Sequence, residues 1–314
     1  MDEITIHQPG EIIPQRPINE LLKEWERSLD ERVRAQEISE DTKTGYVRGA
    51  IKFIFWSQGQ DATPTTIRAW KAELLQAGTA PASVNAWLAG CRSFFSWLAE
   101  LGEIKFDPTQ SIKGAPRKGT KKRHRREALT DSEARAVLAK PEKSRDRAMI
   151  ALMLYTAART IELYHADLAD LNTSGGKMVI YVQGKGSTEK DEMLVITGDA
   201  ESAMREWLAE RGQQPGPLFT SASDRSSGKR LSRRAIRGII KGHFLAAGIH
   251  GNKTTHSLRH TAISNAIRHH VPAEKVRGMS RHASLDTLMI YYHEADRIAD
   301  PAESHINYSD DLLR

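Results

Sequence analysis

Between Lys113 and Arg126 the chain carries eight Lys or Arg residues, no acid, two glycines and a proline, with no apolar periodicity to seat them on a core. Like charges this dense repel one another and resist burial, so the segment reads as a linker with a folded unit on either side. A length of 314 residues, more than one core usually organises, agrees with that division. The expected boundaries are a short extension over 1–16, a helical unit over 17–112, the basic linker over 113–126, a second unit over 127–295 and a tail over 296–314.

The net charge is +6, but residues 1–112 sum to −4 and residues 127–314 to only +2. The positive excess therefore sits in the linker. Alone, such a run is as often a solvated spacer as a binding element. Set between two folded units, it is expected to follow a phosphate backbone through Lys113, Arg117, Lys118, Lys121, Lys122, Arg123, Arg125 and Arg126.

A hydrophobic fraction of 39% and a charged fraction of 27% are ordinary for a soluble globular chain. The longest uncharged apolar run, Ala148 to Ala158, is too short to span a bilayer, and the acidic start Met1-Asp2-Glu3 does not resemble a secretory signal. No membrane partner and a cytoplasmic location are expected. Cys91 is the single cysteine, which excludes an intramolecular disulfide and suits a reducing compartment.

Helical spacing dominates the first unit. Ile18, Leu21, Leu22, Trp25, Leu29 and Val33 form one stripe, Tyr46, Ile51 and Phe55 a second, and Val84, Trp87, Leu88, Cys91, Phe95 and Leu98 a fourth. Thr63-Pro64 supplies a cap and a first-turn proline for the third helix. The aromatic residues lie on these stripes, so they are expected in the core rather than as platforms for bases. In the second unit Thr130-Asp-Ser-Glu133 is a capping box, and an apolar helix should run from Arg145 to Ala158. A strand pair, Met178–Val182 and Met193–Ile196, flanks Gly184-Lys185-Gly186. Helices should return over 200–211, 232–247 and 255–269. The fold class is mainly α, with a small antiparallel sheet in the second unit.

Several residues of the second unit carry reactive or anion-binding groups. Arg159 and Arg259 present planar guanidinia that match two phosphate oxygens, and Lys185 sits on a long stem in a glycine-flanked turn. His256 and Arg259, three apart, share a face near a helix N-terminus, where the dipole favours an anion. Each has a blander reading: Arg159 has Glu162 as an i+3 ion-pair partner, Lys185 is an ordinary hairpin lysine, and Tyr291 and Tyr292 lie in an apolar segment. The His256/His260 pair lacks the glutamate of a zinc-protease helix because Ser257 stands there, and Gly184-Lys185-Gly186-Ser187 lacks the spacing of a nucleotide loop. No metal or cofactor is expected.

Taken in order, Tyr155-Thr-Ala-Ala-Arg159-Thr-Ile-Glu162-Leu, Gly184-Lys185-Gly186, Thr255-His256-Ser-Leu-Arg259-His260-Thr261 and Arg281-His282 followed by Tyr291-Tyr-His293 resemble the tyrosine recombinase, or phage integrase, family. The resemblance covers roughly residues 17 to 295 and implies a helical core-binding (SAM-like) domain followed by an α-rich catalytic domain. It implies Tyr291 as nucleophile, Arg159 and Arg259 on the phosphate, Lys185 as proton donor to the leaving oxygen, His256 as general base or hydrogen-bond partner to the tyrosine and phosphate, His282 as donor of another hydrogen bond, and Glu162 as support. It also implies a double-stranded recombination site, a homotetramer on DNA that passes through a Holliday junction, a place at the nucleoid, and room for an accessory protein or second recombinase.

Three departures stand out. Ala157-Ala158 replace a common Gly-Leu pair, Arg281 stands where a glycine usually precedes the histidine, and Tyr292 adjoins Tyr291. The nine-residue step from His282 selects Tyr291. About sixteen residues precede the first helix, too few for an arm-binding domain, so an Xer-like or small integrase or resolvase type is expected. The tail, with Ile298, Ile306, Leu312 and Leu313, is read either as docking on a neighbouring protomer or as packing on its own unit. Two further readings stay open: a type IB topoisomerase, and a silent DNA-binding regulator that keeps the fold.

Overall fold

The computed structural model describes residues 16–116, 127–184, 189–221, 228–282, 284, 285, 288, 289, 291 and 292. These fall into two compact units, one holding residues 16–116 and the other the described residues from 127 onward. Among the sequence expectations, linker residues Arg117, Lys118, Lys121, Lys122, Arg123, Arg125 and Arg126, together with Lys185 and the tail, lie outside the described residues.

The first unit is four helices: α1 (Ile18–Arg34), α2 (Glu40–Ser57), α3 (Pro64–Gln76) and α4 (Pro81–Glu100). Ser39 caps α2 by accepting the Thr42 N–H, and Thr63 caps α3 by accepting the Thr66 N–H ahead of Pro64, the start its sequence predicts. The aromatic residues interlock in the core. Trp25 meets Phe94 edge-on at 5.0 Å, and Phe53 meets Trp70 at 5.3 Å and Phe95 at 5.7 Å. The chain beyond α4 stays with this core: Ile104, Ile112 and Ala115 are buried in it. Asn85 brackets Ala115 by accepting its N–H at 2.6 Å and donating to its carbonyl at 3.1 Å. Lys71 Nζ donates to the Lys113 carbonyl at 2.8 Å, so the start of the basic run is held to the helical unit.

In the second unit α5 (Asp131–Ala139) begins with the expected capping box, and α6 (Ser144–Thr156) is buried on all sides from Ala148 to Leu154. It is enclosed by α8 (Asp199–Arg211), by α10 (Thr255–Arg268) and by the sheet, which explains why its sequence is apolar all round. The sheet is antiparallel and has three strands, β1 (Leu171–Ser174), β2 (Lys177–Val182) and β3 (Glu192–Ile196), with Ile180 opposite Leu194. On β3, Leu194 and Ile196 enter the core while Met193 and Val195 face outward, the period-2 pattern of a one-sided sheet. Among the described residues the unit also contains α7 (Thr160–His165), α9 (Arg233–Ala246) and α11 (Ala273–Ser280). A satellite core of Ala157, Ala262, Ile263, Ile267, Val276, Leu288 and Tyr291 joins α10 to α11 and to the segment carrying the tyrosine.

Local differences from the sequence expectation have local causes. The strand pair is a triplet, because β1 reads Leu-Asn-Thr-Ser and has too little apolar alternation to be seen. Helix α6 stops at Thr156 rather than Ala158, because Ala157 adopts a left-handed conformation with φ 54°. The six-residue α7 and eight-residue α11 are too short to show a clear apolar period.

Helices α2 and α4 meet backbone to backbone at Gly49 and Gly90. A Cβ on Gly49 would lie 2.5 Å from the Trp87 carbonyl oxygen, and one on Gly90 2.9 Å from the Gly49 Cα, whereas one on Gly45 would meet nothing within 4 Å. Gly90→Ala is therefore expected to destabilise the protein by about 1–3 kcal/mol through overpacking. Gly45→Ala should stabilise it by about 1 kcal/mol through helix propensity alone. Denaturant midpoints measure both, and equal shifts would refute the close crossing.

Candidate active site

The left-handed turn at Ala157 ends α6 and redirects the chain so that Arg159 caps α7 and Glu162 lies in its first turn. Glu162 is only 3% exposed, and two arginines surround its carboxylate. Oε1 accepts Arg159 Nη1 at 2.7 Å and Oε2 accepts the Arg159 backbone N–H at 2.7 Å. Arg281 donates from Nη2 to Oε2 at 2.8 Å and from Nε to Oε1 at 3.3 Å. Burial works to raise the carboxyl's pKa, but the charge of Arg281, the Arg159 N–H and the charge of Arg159 together hold it below the ordinary carboxylate range. Arg159 Nη2 also donates to the Arg281 carbonyl at 3.1 Å, which fixes the orientation of its guanidinium.

Arg259 comes from the first turns of α10 and is 2% exposed. Its Nη1 donates to the Ala157 carbonyl at 2.6 Å, and its Nη2 donates to the Ser280 carbonyl. Burial, followed by repulsion from Arg159 and Arg281, lowers its pKa to about 9. It therefore stays charged at neutral pH. Three guanidinia thus lie close to a single carboxylate that bonds only two of them, a cation excess that an anion such as phosphate would relieve. The N-terminus of α10 lies alongside, with the His256 N–H donating to the Thr254 hydroxyl at 3.3 Å.

The histidines and the tyrosine form the other wall. The His256 and His260 rings meet edge-on at 5.2 Å, His260 and Tyr291 lie 5.3 Å apart, and His282 stacks on Tyr291 at 6.4 Å. The Tyr291 hydroxyl is hydrogen-bonded to His260 Nδ1 and the residue is 7% exposed. Ser280 Oγ and His282 Nδ1 are 3.1 Å apart, which orients the His282 ring. The neighbouring Tyr292 instead donates its hydroxyl to the Val271 carbonyl at 2.8 Å.

Arg159, Glu162, His256, Arg259, His282 and Tyr291, far apart in sequence, are thus gathered at one site. Lys185 lies outside the described residues; of the strands that flank it in sequence, β3 reaches this site through Glu192, 3.6 Å from Arg281 Nε. Two further participants, His260 and Arg281, were not expected in these positions. The i+4 step from His256 was a signal for the first; for the second the only signal was an arginine in place of a glycine. Among the described residues no group of three His, Cys, Asp or Glu could hold a metal.

Glu162→Ala would leave the Arg281 side chain, 4% exposed, buried beside an empty site, with an expected loss of about 3–5 kcal/mol. The pH dependence follows from the lowered carboxyl: its contribution is complete above the ordinary value of 4.5 and is lost as pH falls through the lower folded value. Unfolding free energies measured from neutral pH downward should fall less steeply in Glu162→Gln than in the wild type, and parallel curves would show that the carboxylate contributes nothing.

The phage integrase family's sequence profile matches residues 127–297. Tyrosine recombinase XerC of Haemophilus influenzae (strain PittEE) is 29% identical over 245 residues, covering 76% of this chain and 78% of that protein. Two solved structures share the fold. XerH recombinase bound to a palindromic difH substrate in a post-cleavage complex matches with a TM-score of 0.66 and 19% identity, over 95% of this chain and 90% of that one. A lambda integrase tetramer bound to a Holliday junction matches with a TM-score of 0.65 and 17% identity, over 90% of this chain and 78% of that one. These matches favour neither the topoisomerase reading nor the silent regulator. The chain belongs to the phage integrase family and is a site-specific tyrosine recombinase.

Proposed function

We propose that Tyr291 is the nucleophile of this recombinase and that Arg159 and Arg259 hold the scissile phosphate. The Tyr291 oxygen bonds to phosphorus, the 5′-oxygen leaves, and a 3′-phosphotyrosyl link forms. Lys185 gives its proton to the departing oxygen, while His256 and His282 accept or share protons at the tyrosine and the phosphate. In the reverse step the 5′-hydroxyl of the partner strand attacks phosphorus and the tyrosine oxygen leaves. One phosphodiester replaces another, so the exchange needs no external energy source such as ATP.

The observation that carries this reading is a cluster of three guanidinia, two of them on the buried Glu162 carboxylate and the third, Arg259, on the Ala157 and Ser280 carbonyls, next to Tyr291 and three histidines. The cation excess suits the pentacoordinate phosphate, whose negative charge grows as the bond to tyrosine forms. In the free chain the Tyr291 hydroxyl is held by His260, so attack requires that hydrogen bond to be exchanged for the phosphate. We further propose that four copies synapse two DNA sites and exchange strands pairwise through a Holliday junction. The lambda integrase structure, a tetramer on such a junction, supports that arrangement. We also place the basic segment Lys113 to Arg126 against the duplex backbone, in keeping with its charge.

Covalent trapping on a nicked substrate carrying the DNA that borders the gene's own element tests the chemistry. Wild type should yield a 3′ adduct, and Tyr291→Phe should bind the DNA but yield none; a normal adduct from that variant would move the nucleophile to Tyr292. Replacing the basic residues of the linker by glutamine should lower the slope of log affinity against log salt by about 0.9 for each phosphate that is no longer neutralised. An unchanged slope would make the segment a spacer.

A further inference from the structure

Arg281 is tied to the frame of the site on several sides. Its side chain is 4% exposed. It reaches both oxygens of Glu162, the carbonyls of Thr156 and Ala157 at 3.2 Å each, the Met279 carbonyl at 2.5 Å, and Glu192 at 3.6 Å. One guanidinium thereby ties together the end of α6, the first turn of α7, the last turn of α11 and the start of β3. Its backbone also takes part, since the Arg281 carbonyl accepts Arg159 Nη2 and His282 is the next residue.

Two features separate this role from simple packing. First, Arg281 sits at φ 54°, a left-handed conformation that a glycine would adopt without strain. An arginine there is disfavoured by its backbone, so the side-chain contacts must offset that strain. Second, its partners are the supports of other groups. Glu162 orients Arg159, and Ala157 also accepts Arg259. Glu192 pairs with Val182 across the base of the β2–β3 connection that carries Lys185. The Glu192 Oε2 atom is buried with no hydrogen-bond partner among the described residues, so the charge of Arg281 is what balances it.

We propose that Arg281 is a positioning residue for strand cleavage, holding Arg159, Arg259 and the start of β3 in one frame by dividing the charge of Glu162 between itself and Arg159. Arg159 is thereby spared from serving as the sole counter-ion of a buried carboxylate and keeps donor capacity for the phosphate. Arg281 itself does not touch the substrate; its donors are committed to protein oxygens. The inference rests on the assignment of Arg159, Arg259 and Tyr291 to the cleavage reaction.

The test compares wild type, Arg281→Gly, Arg281→Lys and Glu162→Gln/Arg281→Gly in the full chain. The rate of adduct formation is measured at saturating nicked substrate, and DNA affinity is measured separately in a Tyr291→Phe background. Melting curves report folding. Arg281→Gly should lower the saturated rate by about tenfold or more with affinity unchanged, because the loss lies in the geometry around the reacting phosphate. Lysine keeps the charge but cannot span the same acceptors, so Arg281→Lys should fall between the two. Removing the stranded carboxylate as well should make the double variant faster than Arg281→Gly.

A folded Arg281→Gly that cleaves at the wild-type rate, or that loses only affinity, would overturn the proposal. Should the glycine variant fail to fold, the lysine variant decides: a slowed saturated rate supports the proposal and a wild-type rate ends it. Absence of any tyrosine-dependent adduct in the wild type would instead strike the assignment of the site itself, and this inference with it.

Discussion

The arrangement of the site depends on one buried carboxylate. Glu162 sits 3% exposed between Arg159 and Arg281, and an ionised acid in such a place is stable only because both guanidinia and a backbone N–H face it. The same requirement works in the other direction. Arg281 needs the carboxylate as much as the carboxylate needs Arg281, so the loop before His282 and the turn before α7 are locked to each other. Arg159 and His282 are carried by these two loops, which means that a structural ion pair sets their placement.

Helix ends supply the remaining alignment. Helices α6 and α11 both finish at non-glycine residues in left-handed conformation, Ala157 and Arg281. At each, the last carbonyls are left without intrahelical donors. Arg259 and Arg281 satisfy these carbonyls at Ala157, Thr156 and Met279, while Arg259 also takes the Ser280 carbonyl. Arginines that an apolar core would reject are buried because helix C-termini and Glu162 together offer acceptors. The positive charge left over, concentrated next to the N-terminus of α10, is what prepares the site for an anion. Arg259's pKa is lowered first by its burial and then by the neighbouring charges of Arg159 and Arg281.

The first unit shows a different division of labour. Its stripes were legible because four amphipathic helices around an aromatic core leave a regular trace, and Thr63-Pro64 marks a helix start whatever surrounds it. Gly49 and Gly90 are less conspicuous in sequence: nothing local tells a glycine that permits two backbones to touch from one that, like Gly45, faces open space. Burial of the segment through Ala115 was likewise hidden, since Asn85 and Arg92 hold it by backbone hydrogen bonds that carry no apolar signature.

The order of Arg159, Lys185, His256-x-x-Arg259, His282 and Tyr291 was readable from sequence because the chemistry constrains residue type and spacing, and the helical stripes and capping boxes were readable because they depend on neighbours within one or two turns. Tertiary structure alone decided which groups share partners. His260 was one turn from His256 in the chain, but its hydrogen bond to Tyr291 requires α10 and the tyrosine segment to pack across Ile263 and Leu288. Arg281 looked like an awkward substitute for glycine until Glu162, 119 residues away, was placed against it. Periodicity and motif spacing record local geometry and required chemistry; the division of one buried charge among distant side chains is a property of the folded chain, since only folding removes the water that would otherwise screen it.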